Sequence, residues 1–116
     1  NLPMIAALRA GRGRLALRRY DYQGAGWQAQ GEYQILTLEQ LVETIAQPTY
    51  LCGEFEAAER QALSANPNVQ LAPPWLCLRR AGRLAELGWA LWQAGQVADP
   101  STLTPIYLHY HEPIPS

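Results

Sequence analysis

Residues 4–35 read MIAALRAGRGRLALRRYDYQGAGWQAQGEYQI, and this stretch decides the fold. Met4 to Leu8 is a short apolar run of the kind a buried strand needs. Ala10-Gly11-Arg12-Gly13 follows as a turn, because glycine reaches φ > 0 without a Cβ clash. From Arg14 the chain alternates: Leu15 and Leu17 point one way, and Arg14, Ala16, Arg18 and Tyr20 point the other. Gln23-Gly24-Ala25-Gly26 makes a second turn. Trp27, Ala29, Gly31, Tyr33 and Ile35 then alternate with Gln28, Gln30, Glu32 and Gln34, a period of two with one wet face. The opening third is predicted to be a three-stranded antiparallel meander.

Downstream the period changes. Thr37 caps a helix, with Gln40 placed to complete a capping box. Leu38, Leu41, Val42 and Ile45 form its apolar stripe, and Pro48 closes it. Tyr50-Leu51-Cys52 is a short strand that ends at Gly53. Residues 54–64 read as a second helix with Phe55, Ala58, Ala62 and Leu63 on one face, stopped by Asn66-Pro67-Asn68. Val69-Gln70-Leu71 is a brief strand, and Pro73-Pro74 interrupts regular structure after it. A third helix runs from Ala81 to Ala94, with Leu84, Leu87, Leu91 and Trp92 inward and Gly95 as its left-handed terminator. Asp99-Pro100 and Pro105 punctuate a tail that carries Ile106-Tyr107-Leu108. The order is β-β-β-α-β-α-β-α. Right-handed crossovers bring the later strands beside the first. The fold class is therefore α/β, a ribonuclease-H-like arrangement with a mixed sheet and helices on its faces.

Length and composition fit one domain spanning residues 1–116. Hydrophobic residues make up 48% of the chain and charged residues 16%, a balance that excludes disorder, collagen and coiled coil. No apolar run approaches the roughly 20 residues of a membrane span. The net charge of −1 recommends neither nucleic acid nor membrane as a partner. Charge is nevertheless segregated. Residues 1–31 carry five Arg against Asp21, and residues 32–59 carry six Glu and no base. All nine basic residues are Arg, which excludes Schiff-base chemistry and a P-loop lysine. Cys52 and Cys77 sit in apolar company and read as buried, reduced thiols, which points to the cytoplasm. The chain begins at Asn1 with no signal peptide in view, and it reads as a piece of something longer.

The chemistry-bearing residues are sparse. A ribonuclease-H-type nuclease needs a carboxylate on its first strand to hold Mg²⁺. Arg9 stands there instead, and no acid lies between Asn1 and Arg19, which argues against a nuclease. His109 and His111 are the only histidines. Alternation puts them on one side of the tail beside Glu112, short of the three or four ligands a zinc site uses, so no metal is expected. Ser64, Ser101 and Ser116 all lie outside a G-x-S-x-G elbow, so no catalytic residue is assigned. Gly11 and Gly13 occupy the hairpin that is a phosphate loop in actin-like ATPases, and Gly53 the junction that supports adenosine there. Arg9 and Glu54 replace or oppose the chemistry those loops use, and ordinary tight turns account for the same glycines. No cofactor is expected. Arg14, Arg18 and Tyr20 on one strand face, with Arg12 at the turn, form a candidate RNA or partner surface. A solvated face blunted against edge pairing explains these residues too.

Both ends of the chain resemble one family. Met4 to Leu15 is similar to the AxDARxGEVY hairpin of TsaB (YeaZ) proteins, and Leu103-Thr104-Pro105-Ile106-Tyr107-Leu108 to their closing xxPxYLR segment. The likeness covers nearly the whole chain but only the family's C-terminal half. It implies one of two ribonuclease-H-like halves of an actin-like ATPase fold. It further implies a non-catalytic scaffold for a TsaD-type transferase, alongside a TsaE-type ATPase and a TsaC-type synthase. Together these install threonylcarbamoyl on the adenosine next to the anticodon in tRNA. The family's main TsaD-binding surface lies in the N-terminal half. Older descriptions call such chains glycoprotease-like peptidases, and on that alternative the catalytic residues lie in the other half. The family's hairpin acids are Arg9 and Arg14 here, and its closing Arg is His109. A half-domain cut from a two-half fold exposes apolar surface, so self-association as a homodimer is expected.

Overall fold

The computed structural model describes residues 1–106, which belong to two compact units that meet in sequence at Leu78 and Arg79. In the first unit, β1 (Met4–Gly11), β2 (Arg14–Tyr22) and β3 (Trp27–Thr37) form the antiparallel meander. Then come α1 (Leu38–Thr44), β4 (Thr49–Gly53), α2 (Ala57–Ser64) and β5 (Val69–Leu71). The sheet order is β3-β2-β1-β4-β5, with β4 parallel to β1 and β5 parallel to β4. This is the α/β mixed five-stranded sheet that the alternation predicts, and it fits half of an actin-like fold.

Both crossovers, β3 to β4 and β4 to β5, advance in one direction across the sheet. Right-handedness then places α1 and α2 on the same face. The core lies there: Leu41 and Ile45 from the α1 segment and Leu63 from α2 pack on Ile5, Ala7, Leu15, Leu17 and Leu51. Leu41, Leu51 and Leu63 are fully buried, each contributing about 1.5–3 kcal/mol of apolar transfer. By strand alternation, Met4, Ala6, Leu8, Arg14, Ala16, Arg18, Tyr20, Tyr50 and Cys52 face the opposite side. Neither α1 nor α2 covers that side.

The β1–β2 connection is a two-residue loop, Arg12-Gly13, with φ of 54° and 69°. Two positive φ values in a row make the turn whose twist matches paired strands. Sequence alone points to the glycines. Arg12, which shares their backbone conformation, is the unexpected member.

The structure departs from the expected wet face of β3. Leu36, Gln34 and Gln30 pair with Leu15, Leu17 and Arg19, so the glutamine side turns toward the helices. Trp27 and Tyr33 lie on the side away from α1 and α2 and are exposed. Both faces of the outer β3 are wet for a geometric reason. Its 11 residues extend about 36 Å, whereas the 7-residue α1 covers only about 10 Å. A bulge adds to this. Between the pairs Leu17–Gln34 and Arg19–Gln30, residues Gly31, Glu32 and Tyr33 stand opposite Arg18 alone, with Gly31 at φ 69°.

Helix α1 starts at the predicted capping box, with Gln40 N–H donating to Thr37 Oγ1 at 3.2 Å and Thr37 N–H to Gln40 Oε1 at 2.9 Å. Its far end is held by a residue that the sequence marks only as a stop. Asn66 Nδ2 donates to the carbonyls of Val42 and Ile45, each at 3.0 Å, while its Oδ1 accepts from Asn68 N–H. One amide thus satisfies orphan carbonyls of α1 and shapes the turn into β5. Helix α2 begins at Ala57, three residues later than expected, because Glu56 N–H is taken by the Glu59 carboxylate at 2.7 Å.

In the second unit, α3 (Ala81–Gln93) ends as predicted. Gly95 has φ 74°, and Gly95 N–H and Gln96 N–H donate to the carbonyls of Trp92 and Leu91, which is a Schellman closure. The expectation that Leu84, Leu87, Leu91 and Trp92 point inward is corrected: each is at least half exposed, and no residue of α3 is buried. An apolar stripe gives a helix its period but does not supply the surface that covers it. Tyr107, Leu108, His109, His111 and Glu112 lie outside the described residues.

Candidate functional site

Two places gather the chemistry-bearing residues of the first unit. One is the C-terminal end of β1 and β4. A cavity of 290 Å³ there is lined by Arg9, Gly53, Glu54, Phe55, Arg60 and Cys77, among others. Arg9, which stands where a nuclease of this fold would carry its first acid, pairs with Glu59 at 2.6 Å and approaches Glu56 at 3.7 Å. Arg60 donates to the Ala72 carbonyl at 2.9 Å. Both cations are thus engaged by the protein, and the acids at the start of α2 disfavour a phosphate beside them.

Gly53 has a packing reason to be glycine. A Cβ there would stand 2.8 Å from the Ala7 carbonyl oxygen and 2.9 Å from the Phe55 ring. Gly11 and Gly13 serve the hairpin turn at φ 78° and 69°, with open space around each. The three glycines therefore have structural reasons of their own, and Gly53 lies apart from the other two. Among the described residues, no group of three or more His, Cys, Asp and Glu stands close enough to hold a metal ion. No helix among them is long and apolar enough to cross a membrane.

The second place is the face of the first unit's sheet that lies opposite α1 and α2. Arg14, Arg18 and Tyr20 line β2 on this side, and Arg12 stands at the hairpin tip. Four residues expected to act together are thus distributed along one edge, three on the face and one beyond it. The structure adds aromatic neighbours that the sequence reading passed over. Tyr33 lies under the Arg18 guanidinium, 4.5 Å from ring centroid to Cζ, and Arg18 Nε donates to the Gly31 carbonyl at 3.1 Å. The guanidinium therefore fills the bulge and stacks at once. Tyr22 and Trp27, paired across β2 and β3, meet edge to face at 5.4 Å. The signal that could have found them is register: Trp27 shares the alternation of Tyr33 on β3, and pairs with a β2 residue of Tyr20's parity. None of the strand residues on this face is a carboxylate, whereas Asp21 and Glu32 lie on the helix side. The face offers fixed positive charge beside planar rings.

On the helix side, a cavity of 410 Å³ opens beyond the core. Ile5, Leu17, Leu41 and Ile45 contribute apolar lining, and Arg19, Gln30 and Gln34 polar lining. It is the direct consequence of β3 outrunning α1.

The two cysteines come together although 25 positions separate them, with Cys52 Sγ and Cys77 Sγ 3.9 Å apart. Cys77 is buried as expected, but Cys52 is only partly so; its side chain faces the side of β4 away from α1 and α2. Burial, and then the neighbouring Cys77 sulfur, push the Cys52 thiol up to about 11.

The solved structures that this fold is similar to include two from Pseudomonas aeruginosa. One is described as an uncharacterized protein with similarity to peptidase YeaZ. It superposes with a TM-score of 0.60 at 18% identity, over 91% of this chain and 49% of that one. The other is YeaZ itself, with a TM-score of 0.57 at 18% identity over 90% and 49% of the two chains. The chain is thus similar in fold to YeaZ and spans about half the length of these neighbours. No family model matches the sequence, and no curated protein matches it.

Proposed function

We propose that this chain is the C-terminal half-domain of a TsaB-type subunit, a protein scaffold without chemistry of its own in tRNA threonylcarbamoylation. In this role the full-length protein supports a TsaD-type transferase, with a TsaE-type ATPase as a further partner, in the cytoplasm. The observation that carries the reading is the fold likeness over nine-tenths of this chain and half of YeaZ. The hairpin and tail residues that resemble the family agree with it. The engagement of Arg9 by Glu59 supports a structural role for the position where related folds hold a metal. The test is calorimetric. The full-length protein is expected to bind the purified transferase, and this chain alone to bind ATP no tighter than millimolar. Micromolar ATP affinity in this chain would argue against the scaffold reading.

A second reading belongs to the sheet face opposite α1 and α2. Arg14 and Arg18 beside Tyr20, Tyr22, Trp27 and Tyr33, with no strand carboxylate among them, favour contact with the backbone and bases of tRNA. Changing Arg12, Arg14 and Arg18 together to Ala is expected to weaken tRNA binding. Its salt slope should fall by about 2–3, because each arginine that neutralises a phosphate releases counterions. An unchanged slope would remove RNA from consideration. The peptidase-like description of one neighbour supplies a further alternative, with catalysis by residues of the other half. Hydrolysis of a protein substrate by the full-length protein would favour it.

A further inference from the structure

Cys52 and Cys77 are brought together by the path of the chain after β5. Ala72 N–H donates to the Leu51 carbonyl, prolonging the pairing with β4, and a 3-10 turn at Pro74–Leu76 then carries Cys77 to the side of that strand away from α1 and α2. There the Cys77 thiol donates weakly to the Ala72 carbonyl at 3.6 Å, and Cys52 Sγ lies 3.8 Å from the Leu76 carbonyl. The two sulfurs touch at 3.9 Å. A disulfide needs a separation of about 2.05 Å, so closure requires the sulfurs to approach by about 1.9 Å.

We propose that Cys52 and Cys77 form a reversible dithiol–disulfide site that takes low-molecular-weight disulfides as its oxidant and cross-links β4 to the turn at residues 74–77. Exposure sets the order of events. Cys52, the more accessible sulfur, gives up its proton and attacks one sulfur of the incoming disulfide, which expels the first small thiolate. Cys77 gives up its proton in turn and attacks the Cys52 sulfur. The bond between the two protein sulfurs forms, and the mixed disulfide breaks to release the second small thiolate. The protein loses two electrons and two protons, and the oxidant gains both and leaves as two thiols. The high pKa of Cys52 makes the first step slow at neutral pH and faster as the pH rises. The site goes beyond the scaffold reading and does not depend on it.

The experiment uses the whole chain, reduced, freed of reductant and incubated with oxidised glutathione under native conditions. Intact mass, thiol titration after denaturation and non-reducing electrophoresis are read together. The expected product is a single chain two hydrogen atoms lighter, with neither thiol titrating, that reverts on adding dithiothreitol. It melts at a higher temperature than the reduced chain, because the cross-link closes a loop in the unfolded state. Cys77→Ser is expected to stop at a glutathione adduct on Cys52, and Cys52→Ser to stay mostly unmodified. The wild-type measurement stands without the variants. Two thiols that persist, a stable glutathione adduct on the wild-type chain, or disulfide-linked dimers as the main product would each overturn the proposal.

Discussion

Replacing Gly53 by alanine probes how tightly β1 and β4 are joined. Gly53 pairs with Ala7 in the parallel ladder, and the added Cβ would stand 2.8 Å from the Ala7 carbonyl oxygen and 2.9 Å from Phe55 Cε2 and Cζ. The two obstacles differ in kind. Phe55 is a half-buried side chain that can swing aside, at the expense of its packing on the core. The Ala7 oxygen is backbone and moves only if the two strands part. Overpacking of this type costs about 1–3 kcal/mol. Taking about 2 kcal/mol, and about 4–8 °C for each kcal/mol in a domain of this size, the melting temperature falls by roughly 8–16 °C. Thermal and urea denaturation of Gly53→Ala measure this directly. A cycle with Phe55→Leu separates the obstacles. Most of the Gly53→Ala cost should persist in the Phe55→Leu background, because the carbonyl remains. A Gly53→Ala chain within about 0.5 kcal/mol of wild type would show that the strands are not in fact locked by this close approach. The glycine would then be free of packing duty, and a ligand that approaches the backbone at this junction would become the better explanation.

Four further outcomes rest on single interactions. Asn66→Asp keeps the size of the side chain but removes the donor to the Val42 and Ile45 carbonyls. It should cost about 2 kcal/mol in urea denaturation, as much as Asn66→Ala. Thr37→Ala removes the acceptor for Gln40 N–H and should cost about 1 kcal/mol by the same measurement. Arg9→Glu sets a third carboxylate beside Glu56 and Glu59. It should destabilise by about 1 kcal/mol at low salt and by less at high salt, since the site is partly exposed. The Cys52 thiol, at 9.0 in an ordinary setting and about 11 here, keeps its proton longer in the folded chain. The stability it contributes is whole below pH 9 and is lost as the pH rises from about 9 to about 11, because the unfolded thiol ionises first. Denaturation followed across that window should lose this slope in Cys52→Ser.

The legible part of the fold was the part written in short-range periodicity. Leu15 and Leu17 alternate with Arg14 and Arg18, Thr37 stands three residues before Gln40, and Gly95 follows an Ala-Leu-rich helix. Each of these local patterns appears in the structure where expected. Right-handed crossovers then supplied the strand order, because few topologies connect such elements. The parts that were not legible depend on distances between elements. Which face of β3 meets the helices depends on how far a seven-residue α1 reaches, and alternation is silent on that. Asn66 reads as a turn residue until α1 is beside it. The 3.9 Å approach of the two cysteines rests on a proline-broken turn passing over β4, which leaves no periodic trace. The candidate surface was half legible. Arg14, Arg18 and Tyr20 follow from alternation within β2, whereas Tyr33, Tyr22 and Trp27 join them only through cross-strand register and the bulge at Gly31.

The decisive measurement for the scaffold reading is reconstitution of tRNA threonylcarbamoylation from purified partner proteins, with and without the full-length protein that contains this chain. A scaffold requires that modification collapse when the protein is left out, while the protein alone neither hydrolyses ATP nor cleaves protein. Modification that proceeds equally well without it would overturn the scaffold reading.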